Sequence, residues 1–383
     1  MGQKPFIPQQ YDVFAGLDVD KKSISVTFSN HRQGFIRSLH MPYSVEHLLK
    51  HVRRHFGDQR VAFAYEAGPS GYGLYDGLSA QGYDCLVAAP SMIPRAPGQR
   101  VKTNRLDSRG LSENLRGGQL KSIRIPSPIY RELRHLTQLR DILVSEVAGM
   151  KQRVKSLLLF EGIAFPLAPA GSQWSLKVKA RLRKLECSRG VRFKLDQLLD
   201  SVEFCEKQVV KVTKEIRRFC QSDPELSQSI KYMMSVSGIG WIVASQLLGR
   251  IGDWRELENV RQLGGFLGLV PTEHSTGERT DRGSITRSGD GRLRSKVIQA
   301  SWSAIRQDGE LREFFRSVCR RHPRGVGPKV AIVAVARKLS ARISAVLMEQ
   351  RPYRVRQKVH LAPLTQEEIA SGNDSMASQN RGG

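Results

Sequence analysis

Three carboxylates stand where they could do phosphate chemistry. Asp18 lies in the β-rich run VFAGLDV (13–19), Glu66 ends VAFAYE (61–66), and Asp107 opens a helical pattern reaching about Arg116. If the two runs are neighbouring strands, Asp18 and Glu66 lie side by side at one end of a sheet, and a helix can bring Asp107 onto them. Clustered carboxylates repel, which raises one or more pKa values and destabilises the site unless a cation intervenes. Mg²⁺ (or Mn²⁺) takes oxygen ligands, and a metal pair can clamp the attacking and leaving oxygens of a phosphodiester. Asn104 lies three residues before Asp107, shares its helix face and can lend a neutral carbonyl oxygen. Around it Arg100, Lys102, Arg105 and Arg109 suit a phosphate backbone. Spacing alone fits equally well three acids at the surface, the reading that describes Asp20, Asp76 and Asp84.

Two further segments carry chemistry. In SVSGIGWIVASQLLG (235–249), Gly238 and Gly240 precede an apolar helix, as in a helix-hairpin-helix whose backbone N–H groups face a phosphate. The same pattern also describes a plain tight turn. The stretch 263–302 interleaves Ser275, Thr276, Ser284, Thr286 and Ser288 with glycines and with Arg279, Arg282, Arg287, Arg292 and Arg294. Glycine lets backbone approach a ligand, hydroxyls donate to phosphate oxygens, and Arg grips them bidentately. Read from the residues, this is a phosphate-binding loop or a loop bearing a nucleophilic hydroxyl.

The elements that must position these groups follow from pattern. Residues 13–19, 23–29, 34–41, 61–66 and 83–90 read as strands, with helices after Ser44 and over 71–82. The order βββαβαβ is an α/β layer of the ribonuclease-H-like kind. Pro126 and Pro128 mark a boundary, after which long helices take over. One runs through Leu133, Leu136, Leu143, Val147, Val154 and Leu157. The other carries a heptad seam of Leu195, Leu198, Val202, Cys205, Val209, Val212, Ile216 and Phe219. The two could pack as a hairpin or pair between subunits. Residues 231–360 read as helical with Gly-rich turns, and 371–383 as disordered.

Composition narrows the partners. The chain has 383 residues with 61 Lys+Arg against 36 Asp+Glu, a net charge of +25. Residues 279–358 alone hold 20 basic and 6 acidic side chains, more than half of that excess. Such a charge fits a polyanion, and nucleic acid is the commonest one. No run of about 18 apolar residues offers a membrane span. No signal peptide is recognisable, and five scattered cysteines without a CxxC pair fit a reducing cytoplasm.

The ordered segments AGLDVDKKSISV (15–26), YEAGPSGYGLYDGL (65–78), VAAPSMIPRAPGQRVKTNRLDSRGL (87–111), SVSGIGWIVASQLLGRIGDW (235–254) and GLVPTEHSTGERTDRGSITRSGDGRLRSKVIQASW (268–302) resemble the DEDD-type insertion-sequence transposases, the family of bridge-RNA-guided recombinases. The resemblance runs from about residue 12 to 348. It implies a RuvC-like metal-binding domain over 12–125, a helical coiled-coil linker over 126–230, and a mainly helical transposase domain over 231–350; residues 351–383 fall outside it and read as a tail, basic and then disordered. The family's acidic tetrad falls on Asp18, Glu66, Asn104 and Asp107, with Asn104 departing from the usual Asp. Its nucleophilic serine falls on Ser275, with Thr276 as the alternative.

What the resemblance implies is a cytoplasmic, nucleoid-associated bacterial enzyme that cuts and rejoins DNA by serine transesterification with Mg²⁺. Its implied partners are double-stranded donor and target DNA, a structured non-coding guide RNA, and further copies of itself as a dimer or tetramer. Two rival functions stay open: a metal-dependent, Holliday-junction-resolvase-like endonuclease that uses water, and a non-catalytic nucleic-acid-binding protein.

Overall fold

The computed structural model describes residues 6–94, 104–166, 174–276, 279–323 and 325–354. Contacts divide the chain into two compact units, one ending at Ile125 and the other beginning at Pro126.

The first unit is a five-stranded mixed sheet with helices. Strands β1 (Val13–Val19), β2 (Ser23–Asn30) and β3 (Gly34–Pro42) form an antiparallel meander, followed by helix α1 (Val45–Phe56), β4 (Val61–Glu66), α2 (Gly73–Ser79), β5 (Asp84–Ala88) and α3 (Asn104–Arg116). The strand order is β3-β2-β1-β4-β5. β1 is therefore central, antiparallel to β2 and parallel to β4. β1 and β4 are apolar runs because both faces of the sheet are covered. One face packs Leu17, Val26, Phe28, Phe63 and Tyr65 with Leu48, Leu49 and Val52 of α1. The other packs Phe14, Ala62, Ala64 and Leu86 with Leu111 and Leu115 of α3. Ser44 caps α1, its hydroxyl accepting from the His47 N–H at 3.2 Å.

The second unit is mostly helical. Helix α4 (Pro128–Phe160) and helix α6 (Arg189–Ser222), separated by α5 (Leu176–Arg183), pack on each other within the chain. They run antiparallel: Tyr130 and Leu133 share a core with Ile216 and Cys220, whereas Val154, Leu157 and Leu158 share another with Leu195, Leu199 and α5. The buried stripe of α6 is Leu195, Leu199, Val202, Val212, Ile216 and Cys220. Of the expected heptad seam, Leu198, Cys205, Val209 and Phe219 are only partly buried, and the stripe drifts as it does on a straight helix of 3.6 residues per turn.

Beyond lie α7 (Pro224–Met234), α8 (Trp241–Ile251), α9 (Gln262–Phe266), α10 (Gly291–Gln307), α11 (Gly309–Cys319) and α12 (Gly327–Met348). The segment expected to be a loop is instead an antiparallel ribbon of β6 (Pro271–Thr276) and β7 (Arg279–Ile285). Among the described residues no helix is long and apolar enough to cross a membrane. The expected disorder of 371–383 lies outside the described residues.

Candidate active site

The acidic site is assembled by sheet register. β1 and β4 pair in parallel up to Leu17 with Tyr65, so Asp18 and Glu66 are the next residues on adjacent strands. Asp107 comes from the first turn of α3, which begins at Asn104, three residues earlier than the helical pattern implied. The helix can approach because β1 carries Gly16. A Cβ built there would stand 2.2 Å from the Ser108 carbonyl oxygen and 2.2 Å from the Ser112 nitrogen, so only glycine permits this contact. Small buried hydroxyls complete the seam. Thr27 Oγ1 meets Ser108 Oγ at 2.8 Å, Ser29 Oγ meets Ser112 Oγ at 2.7 Å, and Ser112 Oγ donates to the Phe14 carbonyl at 2.9 Å. None of these five residues stands out in the sequence as functional. A glycine two residues before a strand carboxylate, and two serines four apart on the helix of another, were the available signal.

Asp18 is pushed up from 3.8 to about 6. Burial is the main cause, followed by the negative charges of Asp20, Asp107 and Glu66, against a lowering hydrogen bond from the Val19 N–H. Both other expected acids therefore act on Asp18, and so does Asp20, which the sequence reads as a surface acid. Among the described residues no three His, Cys, Asp or Glu side chains converge tightly enough to hold one ion between them. The donor set still fits a divalent metal: hard carboxylate oxygens, partly desolvated and mutually repelling, are what a small dication relieves. The side chains of Asn104 and Arg105 and all of Arg100 and Lys102 lie outside the described residues. Arg109 is exposed, bonded to Glu113 at 2.9 Å, with its guanidinium over the Phe35 ring.

In the second unit Ser275 and Thr276 lie at the end of β6, with Ser275 paired to Thr280 and Thr276 to Arg279. Their side chains, and those of Arg279 and Arg282, lie outside the described residues. The ribbon's exit is held tightly. Arg287 adopts a positive φ of 53°, and a Cβ on Gly289 would come within 2.2 Å of the Phe266 carbonyl oxygen. Here glycine lets backbone approach backbone, not a ligand as the sequence implied. Arg294 is committed likewise, Nη1 donating to the carbonyls of Leu267 at 3.0 Å and Arg287 at 3.3 Å. Arg292 is exposed, and its N–H is capped by Asp290.

Gly238 departs from the expected phosphate-facing role. Its N–H donates to Gln307 Oε1 at 3.2 Å, and a Cβ there would stand 2.4 Å from the Ala300 carbonyl oxygen. It seats the turn on α10. Gly240 is the residue at the N-cap of α8.

The five-stranded α/β unit with its strand-end carboxylates is compatible with the class of DEDD-type transposases. The model of the DEDD transposases of the IS110 group matches residues 15–161, and that of the transposase IS116/IS110/IS902 family matches residues 230–316. The chain is 30% identical over 298 residues to "Putative transposase y4qE" of Sinorhizobium fredii, covering 76% of this chain and 72% of that one. It is 23% identical over 256 residues to the transposase for insertion sequence element IS1533 of Leptospira borgpetersenii, covering 65% and 72%. Over 177 residues it is 27% identical to the pilin gene-inverting protein of Moraxella bovis, covering 46% and 53%. The chain belongs to the IS116/IS110/IS902 transposase family, a family of DNA strand-transfer enzymes.

Proposed function

We propose that the chain moves an insertion sequence by serine transesterification, with Ser275 as nucleophile and a divalent metal, Mg²⁺ or Mn²⁺, held by Asp18, Glu66 and Asp107 with Asn104 beside them. The observation that carries this reading is the raised pKa of Asp18 among like-charged neighbours on two adjacent strands and a helix. A ribonuclease-H-like, RuvC-like layer is the fold that the strand order β3-β2-β1-β4-β5 supports for residues 12–125. In the remaining divisions, 126–230 is a helical linker, 231–350 the transposase domain and 351–383 a tail.

In this mechanism Ser275 Oγ attacks the phosphorus of a DNA phosphodiester. Its proton passes to solvent or a nearby base, a P–O bond to deoxyribose breaks, and the released hydroxyl takes up a proton. The resulting phosphoserine ester keeps the bond energy, so a hydroxyl of another strand displaces Ser275 and rejoins the DNA without hydrolysis. A bound dication supplies neutralisation of the charge that builds on the phosphoryl oxygens. Transposition and gene inversion, the activities named for relatives, both require cut ends to be rejoined, and a phosphoserine ester would hold a cut end for that step.

Donor and target DNA, a structured guide RNA and further copies of the chain are the partners of this reading, acting in the bacterial cytoplasm on the nucleoid. The +25 charge, concentrated in 279–358, supports the nucleic-acid partners. The test is a covalent adduct. The full chain, incubated with a nicked target, its RNA and Mg²⁺, should yield a DNA-linked peptide that mass spectrometry maps to Ser275. A signal at Thr276 moves the nucleophile by one residue. Cleavage that persists in Ser275→Ala together with Thr276→Ala, without any adduct, makes the protein a nuclease.

A further inference from the structure

A cavity of about 870 Å³ opens in the second unit between β7, α10 and the first half of α12. Its volume falls in the range that encloses a small ligand or part of a larger one. Two properties set it apart. Its walls are apolar and aromatic, from Ile298 and Trp302 on α10 and Val330 and Val333 on α12. Its polar lining is cationic, from Arg287, Arg294, Lys329 and Arg337, and no carboxylate is among the described residues that line it. Arg294 is partly spent on backbone carbonyls. No ion pair to a described carboxylate engages Arg287, Lys329 or Arg337. Trp302 packs against Phe315 in a T-shaped arrangement, with ring centroids 5.6 Å apart.

An apolar and aromatic wall beside cations that no described carboxylate pairs with suits a nucleotide: a base face on one side and phosphates on the other. A base pair within a duplex exposes only its edges, so an apolar wall set inside a cavity suits a base that has left the stack. The cavity also belongs to the ribbon that carries the proposed nucleophile. Gly283, Ser284 and Ile285 of β7 form one wall, and Ser284 lies four residues, about 13 Å of strand, beyond Thr280, the partner of Ser275.

We propose that this cavity receives one unpaired nucleotide of the DNA strand held at the β6–β7 ribbon, its base against Trp302 and Val333 and its phosphates toward Arg287, Lys329 and Arg337. This rests on the reading of the chain as a DNA strand-transfer enzyme.

The experiment compares the full chain with Val330→Trp, which fills the cavity from a partly exposed position, and with Ser295→Trp, which fills it from the opposite wall. Binding is measured by fluorescence anisotropy on a DNA duplex with one unpaired thymidine and on a fully paired duplex of equal length. The native chain should prefer the unpaired probe by about tenfold, and either filled variant should lose that preference while binding the paired duplex as before. With 5-iododeoxyuridine at the unpaired position, photo-crosslinks should fall on the peptide containing Trp302. Equal affinity of the native chain for both probes, or a preference that survives both variants, overturns the proposal. So does a free nucleoside monophosphate that binds as tightly as the oligonucleotide, since the cavity then serves a small ligand. The serine reading is judged separately: an adduct at Ser275 without any preference for the unpaired probe removes only the cavity's role, whereas a chain that binds neither duplex removes the reading on which it rests.

Discussion

Gly16 of β1 and Ser108 of α3 meet backbone to backbone, with no room between them for a single methyl group. The contact lies two residues from Asp18 on the strand and one residue from Asp107 on the helix. Whatever fixes this contact fixes the separation of two of the proposed metal ligands. The hydroxyl pairs from Thr27 to Ser108 and from Ser29 to Ser112 extend it along the helix and hold its register.

Gly16→Ala should therefore act on both stability and site. The added Cβ meets backbone atoms at 2.2 Å on two sides, so α3 must move, at a cost of about 2–3 kcal/mol. The urea midpoint should fall and strand transfer should be lost with it. Gly149→Ala is the control: nothing lies within 4 Å of a Cβ built there in the middle of α4, so alanine should raise the unfolding free energy by up to about 1 kcal/mol and the midpoint with it. A Gly16→Ala protein of native stability and activity would mean that α3 is not held as described.

Asp18 gives a pH dependence of definite sign. Its folded-state pKa is about 6 against 3.8 in the unfolded chain, so the native state binds the extra proton between these values. Stability on this account is unaffected below about pH 4, declines as pH rises toward 6, and stays lowered above it. Asp18→Asn should consequently raise the melting temperature at pH 8 and not at pH 4, by a free energy on the order of 1 kcal/mol once solvent screening is discounted. Mg²⁺ should stabilise the native protein at pH 8 and lose that effect in Asp18→Asn. Differential scanning calorimetry at the two pH values, with and without Mg²⁺, reads both outcomes.

The second unit turns on Asp308. Its carboxylate is almost wholly buried, caps α11 by accepting from the Leu311 N–H at 3.0 Å, and meets Arg342 Nη1 of α12 at 2.7 Å. Asp308→Ala leaves a buried guanidinium with the more exposed Glu310 and the Tyr353 ring as its described partners and removes the cap, a loss of about 3–5 kcal/mol. Asp308→Asn retains the cap and should lose less. Because α12 forms one wall of the basic cavity, protease cleavage within α11 and α12 should increase in parallel.

DNA binding should be strongly salt-dependent. Each neutralised phosphate contributes a slope of about −0.9 in log K against log salt, so a site using six or more of the cations in 279–358 loses about a thousandfold between about 50 and 200 mM. Anisotropy titrations over that range measure it. A shallow slope would place the recognition in the apolar contacts instead.

The sheet was largely legible because its runs are apolar on both sides and its turns polar. VFAGLDV and VAFAYE end within a residue of β1 and β4, and Ser44 announces α1 through its cap. The packing that places Asp107 was not legible. Ser108 and Ser112 form a polar helix face, which ordinarily faces water, and only the missing side chain of Gly16 and the hydroxyls of β2 make it an interior one. The β6–β7 ribbon was hidden for a related reason: its Ser, Thr, Gly and Arg residues lack the apolar alternation by which a strand declares itself. At Gly238 a local pattern could not reveal that Gln307, 69 residues away, takes the N–H.

The hairpin of α4 and α6 is anchored at both ends by separate cores, one around Leu133 and the other around Leu157. Twenty-four residues of helix rise about 36 Å between those two positions, close to one full turn of B-form DNA. A rod clamped by a core at each end cannot slide at one end without breaking the packing at the other, so that interval is a fixed length of this unit.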